Sequence, residues 1–149
     1  MLVFIYLVKD NVTDNVSREK RSQVMASVKQ KNTSPEITVR KYLHRQGLRF
    51  KLHDKALPGK PDMVFPKYKI VVFIHGCFWH GHKKCKLARM PKSNVDFWKN
   101  KIDGNKTRDS KHIKKLKRIG WCPIIFWECE LSNPKNLINL SNKIKSSTA

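Results

Sequence analysis

Acidic residues are scarce in this chain, with 11 Asp and Glu against 32 Lys and Arg and a formal net charge of +21 at pH 7. Such an excess repels itself unless an anion compensates it, and nucleic acid is the commonest anion of that kind. Long apolar runs are missing as well. The opening MLVFIYLVKD is apolar only to Val8, far short of the roughly 20 residues that cross a bilayer. It has neither the basic start nor the small-residue cleavage site of a signal peptide. A cytoplasmic, nucleoid-associated protein without a membrane partner is expected. There the four cysteines, Cys77, Cys85, Cys122 and Cys129, should be thiols or metal ligands and not disulfides. Repeats and long low-complexity tracts are also lacking. The 149 residues suit one domain with one core, assigned to residues 17–149. Residues 1–16 are an N-terminal arm without an assigned role.

The pattern predicts a mixed sheet flanked by helices. Ser17 to Val28 is a short basic helix with Val24, Met25 and Val28 as its apolar set. Ser34 as N-cap, Pro35 at the first helical position, Glu36 in the first turn and Gly47 as a stop mark a helix from Pro35 to about Gln46. A carboxylate in a first turn is favoured by the helix dipole, so Glu36 has a structural explanation beside any catalytic one. Leu48 to Leu52, Met63 to Phe65 and Tyr68 to Ile74 read as strands, the last two as a hairpin reversing at Pro66 and Lys67. A basic loop leads to a helix starting near Ser93 or Asn94, interrupted at Gly104 and resuming from Asn105 to Ile119. Trp121 to Trp127 is a further strand in parallel crossover. Asn133 and Pro134 begin an amphipathic terminal helix.

The chemistry gathers in IVVFIHGCFWHGHKKC, Ile70 to Cys85, where a buried strand runs directly into histidines, cysteines and the exposed-looking pair Phe78 and Trp79. Cys77, His82, Cys85 and the distant Cys129 make a three-sulfur, one-nitrogen set suited to tetrahedral structural zinc; the alternative is a coincidence of buried thiols with a surface histidine. Cys122 is left over as a buried strand thiol. Asp62 is a turn or cap residue by the habits of Asp after Pro. Placed beside the strand end at Ile74 and His75, it would instead suit Mg²⁺, which takes one or two carboxylates and fills its shell with water and phosphate oxygens. His75 and His80 would flank it, able to take a proton from water or to stabilise developing charge. With a charge of +21, these groups point to metal-assisted phosphodiester hydrolysis. Phe78, Trp79 and Trp98 are core residues or wedges between base steps.

At these residues the sequence resembles the very-short-patch repair (Vsr-type) DNA mismatch endonucleases. The matching motifs are LPGKPDMVF, VVFIHGCFWHGHKKC, FWKNKIDGNKTRD and GWCPIIFWEC, and the similarity runs from about Ser17 to Leu131. The resemblance implies a restriction-endonuclease-like α/β fold with a structural zinc site, and an enzyme that nicks one strand of double-stranded DNA at T:G mismatches left by deaminated 5-methylcytosine. It implies Asp62 as the principal Mg²⁺ ligand, helped by the main-chain carbonyl of Ile74. His80 is implied as general base oriented by Asp109, and His75 and Glu36 as accessory catalytic positions. Cys77, His82, Cys85 and Cys129 match zinc ligands. Phe78, Trp79 and Trp98, with Met25 on the arm, match DNA wedges. A monomer is expected, with a mismatch-repair protein as a further partner. Ile74 replaces a threonine of the best-known relative, and the segment between His82 and Cys85 is one residue longer. The alternatives are a restriction-type endonuclease of the same fold and a non-catalytic zinc-containing DNA-binding module.

Overall fold

The computed structural model describes residues 17–27 and 31–147, leaving the arm at 1–16 outside. Its elements are α1 (Arg18–Ser27), α2 (Ser34–Arg45), β1 (Lys51–Leu52), β2 (Met63–Phe65), β3 (Ile70–His75), α3 (Val95–Arg118), β4 (Cys122–Trp127) and α4 (Pro134–Ser146). The four strands form one sheet in chain order. β1 and β2 pair antiparallel, as do β2 and β3, whereas β3 and β4 run parallel, with Ile70 opposite Cys122 and His75 opposite Trp127. That parallel pairing is the expected crossover, with α3 as its connection.

Strand side chains alternate between the two faces. Met63, Phe65, Ile70 and Val72 meet Val39 and Leu43 of α2 and Leu140 and Ile144 of α4 in one apolar cluster. Val64, Val71 and Phe73 point the other way and pack with Leu116 of α3. Both sides of the sheet are therefore covered, which is why β2 and β3 read as unbroken apolar runs. Asn133 caps α4 as expected, its side chain accepting from the Lys135 N–H.

Three expectations are corrected. α3 does not break at Gly104 but continues for 24 residues. Gly104 lies on its exposed side with no atom near the position of a Cβ, and its cost of about 1 kcal/mol is small beside the packing of Trp98, Ile102 and Leu116, all buried. The N-cap of α2 is Thr33, with Ser34 already helical and no side-chain cap bond. Cys122 is exposed, although period-two alternation puts it on the same face as the buried Ile124 and Phe126, because it is the first residue of β4, at the end of the strand.

Candidate active site

The hairpin and the crossover bring the ends of β2, β3 and β4 together over the middle of α3. On that helix Trp98, Ile102, Asn105, Asp109, His112 and Leu116 recur at spacings of three and four, so they share one face. Its ends are apolar and buried; its centre presents Asp109 and His112 to a cavity of about 300 Å³ that also holds Asp62, His75 and His80. Gly59 enters the same rim in left-handed conformation (φ 78°), and a Cβ there would stand 3.0 Å from the His112 ring.

Asp62 immediately precedes β2, and its Oδ2 accepts from the Ile74 N–H at 2.6 Å. Burial, reinforced by the neighbouring Glu36, pushes its carboxyl up to about 8. Glu36 is only 2% exposed. It pairs with Arg40, and it accepts from the Asn32 N–H at 2.6 Å, so it is an interior charge organiser and not simply a helix-dipole residue. The Arg40 guanidinium also meets His53 Nε2 at 2.9 Å. Guanidinium is donor-only, so Nε2 accepts and the His53 proton sits on Nδ1, 3.9 Å from Asp62 Oδ1. Ligand atoms of Glu36, His53 and Asp62 lie within 4.8 Å of one another. Arg40 already pairs with Glu36 and donates to His53, so Asp62 is the member that could meet a cation from the cavity.

His80 Nδ1 lies 2.6 Å from Asp109 Oδ2. Burial alone would raise the Asp109 carboxyl, but the hydrogen bond and charge of His80, with His75 and His112, outweigh it and hold the group low. An ionised Asp109 accepts a hydrogen bond from His80 Nδ1–H, which keeps the ring proton on Nδ1 and leaves the Nε2 lone pair free for a proton from elsewhere. His75 lies flat on His80, ring centroids 3.7 Å apart and planes 8° from parallel. Burial first, then the proximity of His80, lowers His75 to about 4, so it is neutral at physiological pH.

Beyond this cavity the structure gathers Cys77, His82, Cys85 and Cys129, every ligand atom within 4.8 Å of the others. Cys129 Sγ is 3.4 Å from His82 Nδ1, close to the separation of about 3.5 Å between sulfur and nitrogen around tetrahedral zinc. Soft sulfurs with one imidazole fit zinc better than a hard cation. Burial raises the Cys77 and Cys129 thiols in the absence of an ion. Between His82 and Cys85, Lys84 adopts a left-handed conformation (φ 54°), and both flanking side chains reach the cluster. Gly81, at φ 58°, lets the same loop approach α3, since a Cβ there would stand 2.8 Å from Ile102 Cγ2.

The profile of the family described as DNA mismatch endonuclease Vsr matches residues 13–87. Type II nicking enzyme V.NmeAIP of Neisseria meningitidis serogroup A is 52% identical over 122 residues, 82% of this chain and 86% of that protein. Type II nicking enzyme V.XorIIP of Xanthomonas oryzae pv. oryzae is 48% identical over 122 residues, 82% and 89% of the two chains. DNA mismatch endonuclease Vsr of Escherichia coli K12 is 39% identical over 127 residues, 85% and 79%. The chain belongs to the Vsr DNA mismatch endonuclease family. It is thus a phosphodiester hydrolase.

Against this Vsr frame, one group of expected residues is arranged differently. Phe78 and Trp98 are each only 5% exposed, meeting edge to face at 5.3 Å, with Trp79 half-buried against both at 5.4 and 6.1 Å. The exposed-looking pair is therefore half core: α3 covers it. Among the described residues the exposed aromatic is Phe97, 50% exposed and 5.1 Å from Trp98, which carried no wedge expectation from the sequence. The side chain of Met25 lies outside the described residues. Also missed were His112, whose signal is its place one turn after Asp109, and His53, which has no local signal. Among the described residues no helix is long and apolar enough to cross a membrane.

Proposed function

We propose that this protein is a Mg²⁺-dependent endonuclease that nicks one strand of double-stranded DNA at T:G mismatches, the lesion left when 5-methylcytosine deaminates. The observation that carries the reading is the His80–Asp109 pair at 2.6 Å opening into the same cavity as the buried carboxylate of Asp62. Asp62 and the Ile74 carbonyl would hold the Mg²⁺, which supplies charge neutralisation at the scissile phosphate. His80 Nε2 takes the proton of the attacking water as it adds to phosphorus and the bond to the leaving oxygen breaks. Neutral His75 supports the His80 ring, and Glu36 with Arg40 holds the surroundings of Asp62.

The Cys77, His82, Cys85 and Cys129 set would hold structural zinc, tying the loop after β3 to the end of β4. Trp79, backed by the buried Phe78 and Trp98, and Met25 on α1 would enter the duplex beside the mismatch, and the net charge of +21 meets the phosphates. The mixed sheet supports a restriction-endonuclease-like fold for residues 17–149, acting as a cytoplasmic monomer with a mismatch-repair protein as a further partner. Nicking of T:G and matched duplexes with Mg²⁺ tests the reading. Selective nicking of the mismatched strand is expected, whereas equal cleavage of both duplexes refutes mismatch specificity. Asp62→Ala should abolish nicking and leave duplex binding measurable.

A further inference from the structure

Between the two side-chain clusters stands one residue that touches both. The Trp127 indole stacks on His82 with centroids 4.0 Å apart and planes 4° from parallel, and meets His75 nearly at right angles at 5.2 Å. His75 in turn lies on His80 at 3.7 Å, and His80 is bonded to Asp109. The series of rings is continuous from the cysteine cluster to the group that takes the proton. We propose that Trp127 is a positioning residue that fixes the orientation of His75 and His80 from the Cys77–His82–Cys85–Cys129 cluster.

Three observations support this. His75 Nδ1 is buried without a hydrogen-bond partner, so no bond at that atom sets the ring angle. Its orientation depends on ring packing against Trp127, His80 and Phe73, the last at 5.9 Å. Trp127 itself is anchored on the cluster side: its backbone N–H donates to Glu130 Oε2 at 2.7 Å. The next residue, Glu128, accepts the Cys77 N–H at 3.0 Å. The register pairing of His75 with Trp127 across β3 and β4 places the two side chains on one face of the sheet. A stacked aromatic has preferred geometries, and groups behind a ligand or catalytic ring fix its orientation, with losses of about 10- to 100-fold when removed.

The test uses the full-length, zinc-replete protein and the variants Trp127→Leu and Trp127→Phe. Trp127→Leu should keep one zinc per chain and its affinity for the mismatched duplex within about threefold, yet lose about 10- to 100-fold in kcat. Trp127→Phe should recover most of it, because a ring is restored. A readout independent of nicking is the nuclear Overhauser contact between the His75 and His80 rings, expected to be lost in Trp127→Leu and kept in Trp127→Phe. The proposal rests on the nicking reading for the rate measurement only. Ring contacts retained in Trp127→Leu overturn the proposal. So does a rate loss in step with zinc release, which would make Trp127 a support of the cluster alone. A protein whose rings respond as expected but which nicks nothing would instead refute the nicking reading.

Discussion

Replacing Asp109 by Asn tests whether the 2.6 Å contact to His80 Nδ1 fixes the proton as well as the ring. The pair is about one-quarter exposed on each side, 27% for His80 and 23% for Asp109, so it is only partly screened. A hydrogen bond to a charged group contributes about 1.5–3 kcal/mol, equivalent to about 10- to 150-fold if only ring orientation is lost. Asparagine does more than weaken the bond. Its amide can donate to Nδ1, which moves the imidazole proton to Nε2 and occupies the lone pair that should receive the proton of water. General-base catalysis amounts to about 10²- to 10⁴-fold, so Asp109→Asn should lower kcat by 10²- to 10⁴-fold with little change in KM. Asp109→Ala leaves the tautomer free to exchange and should lose only about 10- to 150-fold. Single-turnover nicking of a T:G duplex by both variants, with zinc content as the control for folding, checks this. An Asn variant as active as the Ala variant would refute the tautomer argument, and loss in KM alone would move Asp109 from catalysis to binding.

Asp62→Asn should abolish Mg²⁺-dependent nicking yet stabilise the magnesium-free, zinc-replete protein at high pH. Burial raises the folded carboxyl from 3.8 to about 8, so its stability contribution is complete below pH 4 and lost as pH rises to 8; a melting-temperature advantage for the Asn variant that fails to grow across that window counts against the burial argument. Cys129→Ala should lose zinc and melt more than about 10 °C lower, while Cys122→Ser, altering an exposed thiol, should keep one zinc per chain by metal analysis. Trp79→Ala should weaken binding to the mismatched duplex by about 10- to 100-fold, the range of one lost base stack. Phe78→Ala should first appear as about 3–5 kcal/mol of lost stability in denaturant melts, because Phe78 is buried; unchanged stability would place it outside the core.

What could be read from residue order was whatever the chain keeps close or repeats regularly. His75 ends β3 and Cys77, His80, His82 and Cys85 follow it in one loop, and β2 and β3 are joined by a tight reversal, so the approach of Asp62 to the end of β3 followed from period-two alternation and one turn. The buried arrangement of Glu36, Arg40 and His53 could not be read, because it joins α2 to a residue 13 positions on from Arg40 that adopts a left-handed conformation (φ 47°). Glu36 had a sufficient local explanation in the helix dipole, and only tertiary burial shows its other role. The same limit applies to Phe78. Its neighbours in sequence are polar ligands, which suggests exposure, but its neighbour in space is Trp98 on α3. Gly104 misled for the converse reason: a local helix breaker was outweighed by apolar anchors at both ends of the same helix.

The interior polar groups explain why the chemistry sits at this end of the sheet. Among the described residues His75 Nδ1, Arg40 Nε and Glu128 Oε2 are buried without hydrogen-bond partners, as is Ser141 Oγ on α4, and each such group costs about 1–3 kcal/mol. Three of the four border the candidate clusters: His75 on the cavity, Arg40 beside Asp62, and Glu128 behind Cys77. The two apolar clusters on the faces of the sheet leave that cost tolerable and hold the strand ends rigid. Local rules of polar satisfaction are broken where charge and coordination have to change during reaction, a pattern expected of functional sites. It follows that the raised carboxyl of Asp62 and the lowered imidazole of His75 are two consequences of one cause. Burial next to like groups holds the acid neutral where the proposed mechanism brings a cation, and holds the histidine neutral so that it lies against His80 without repelling the proton that His80 would accept in that mechanism.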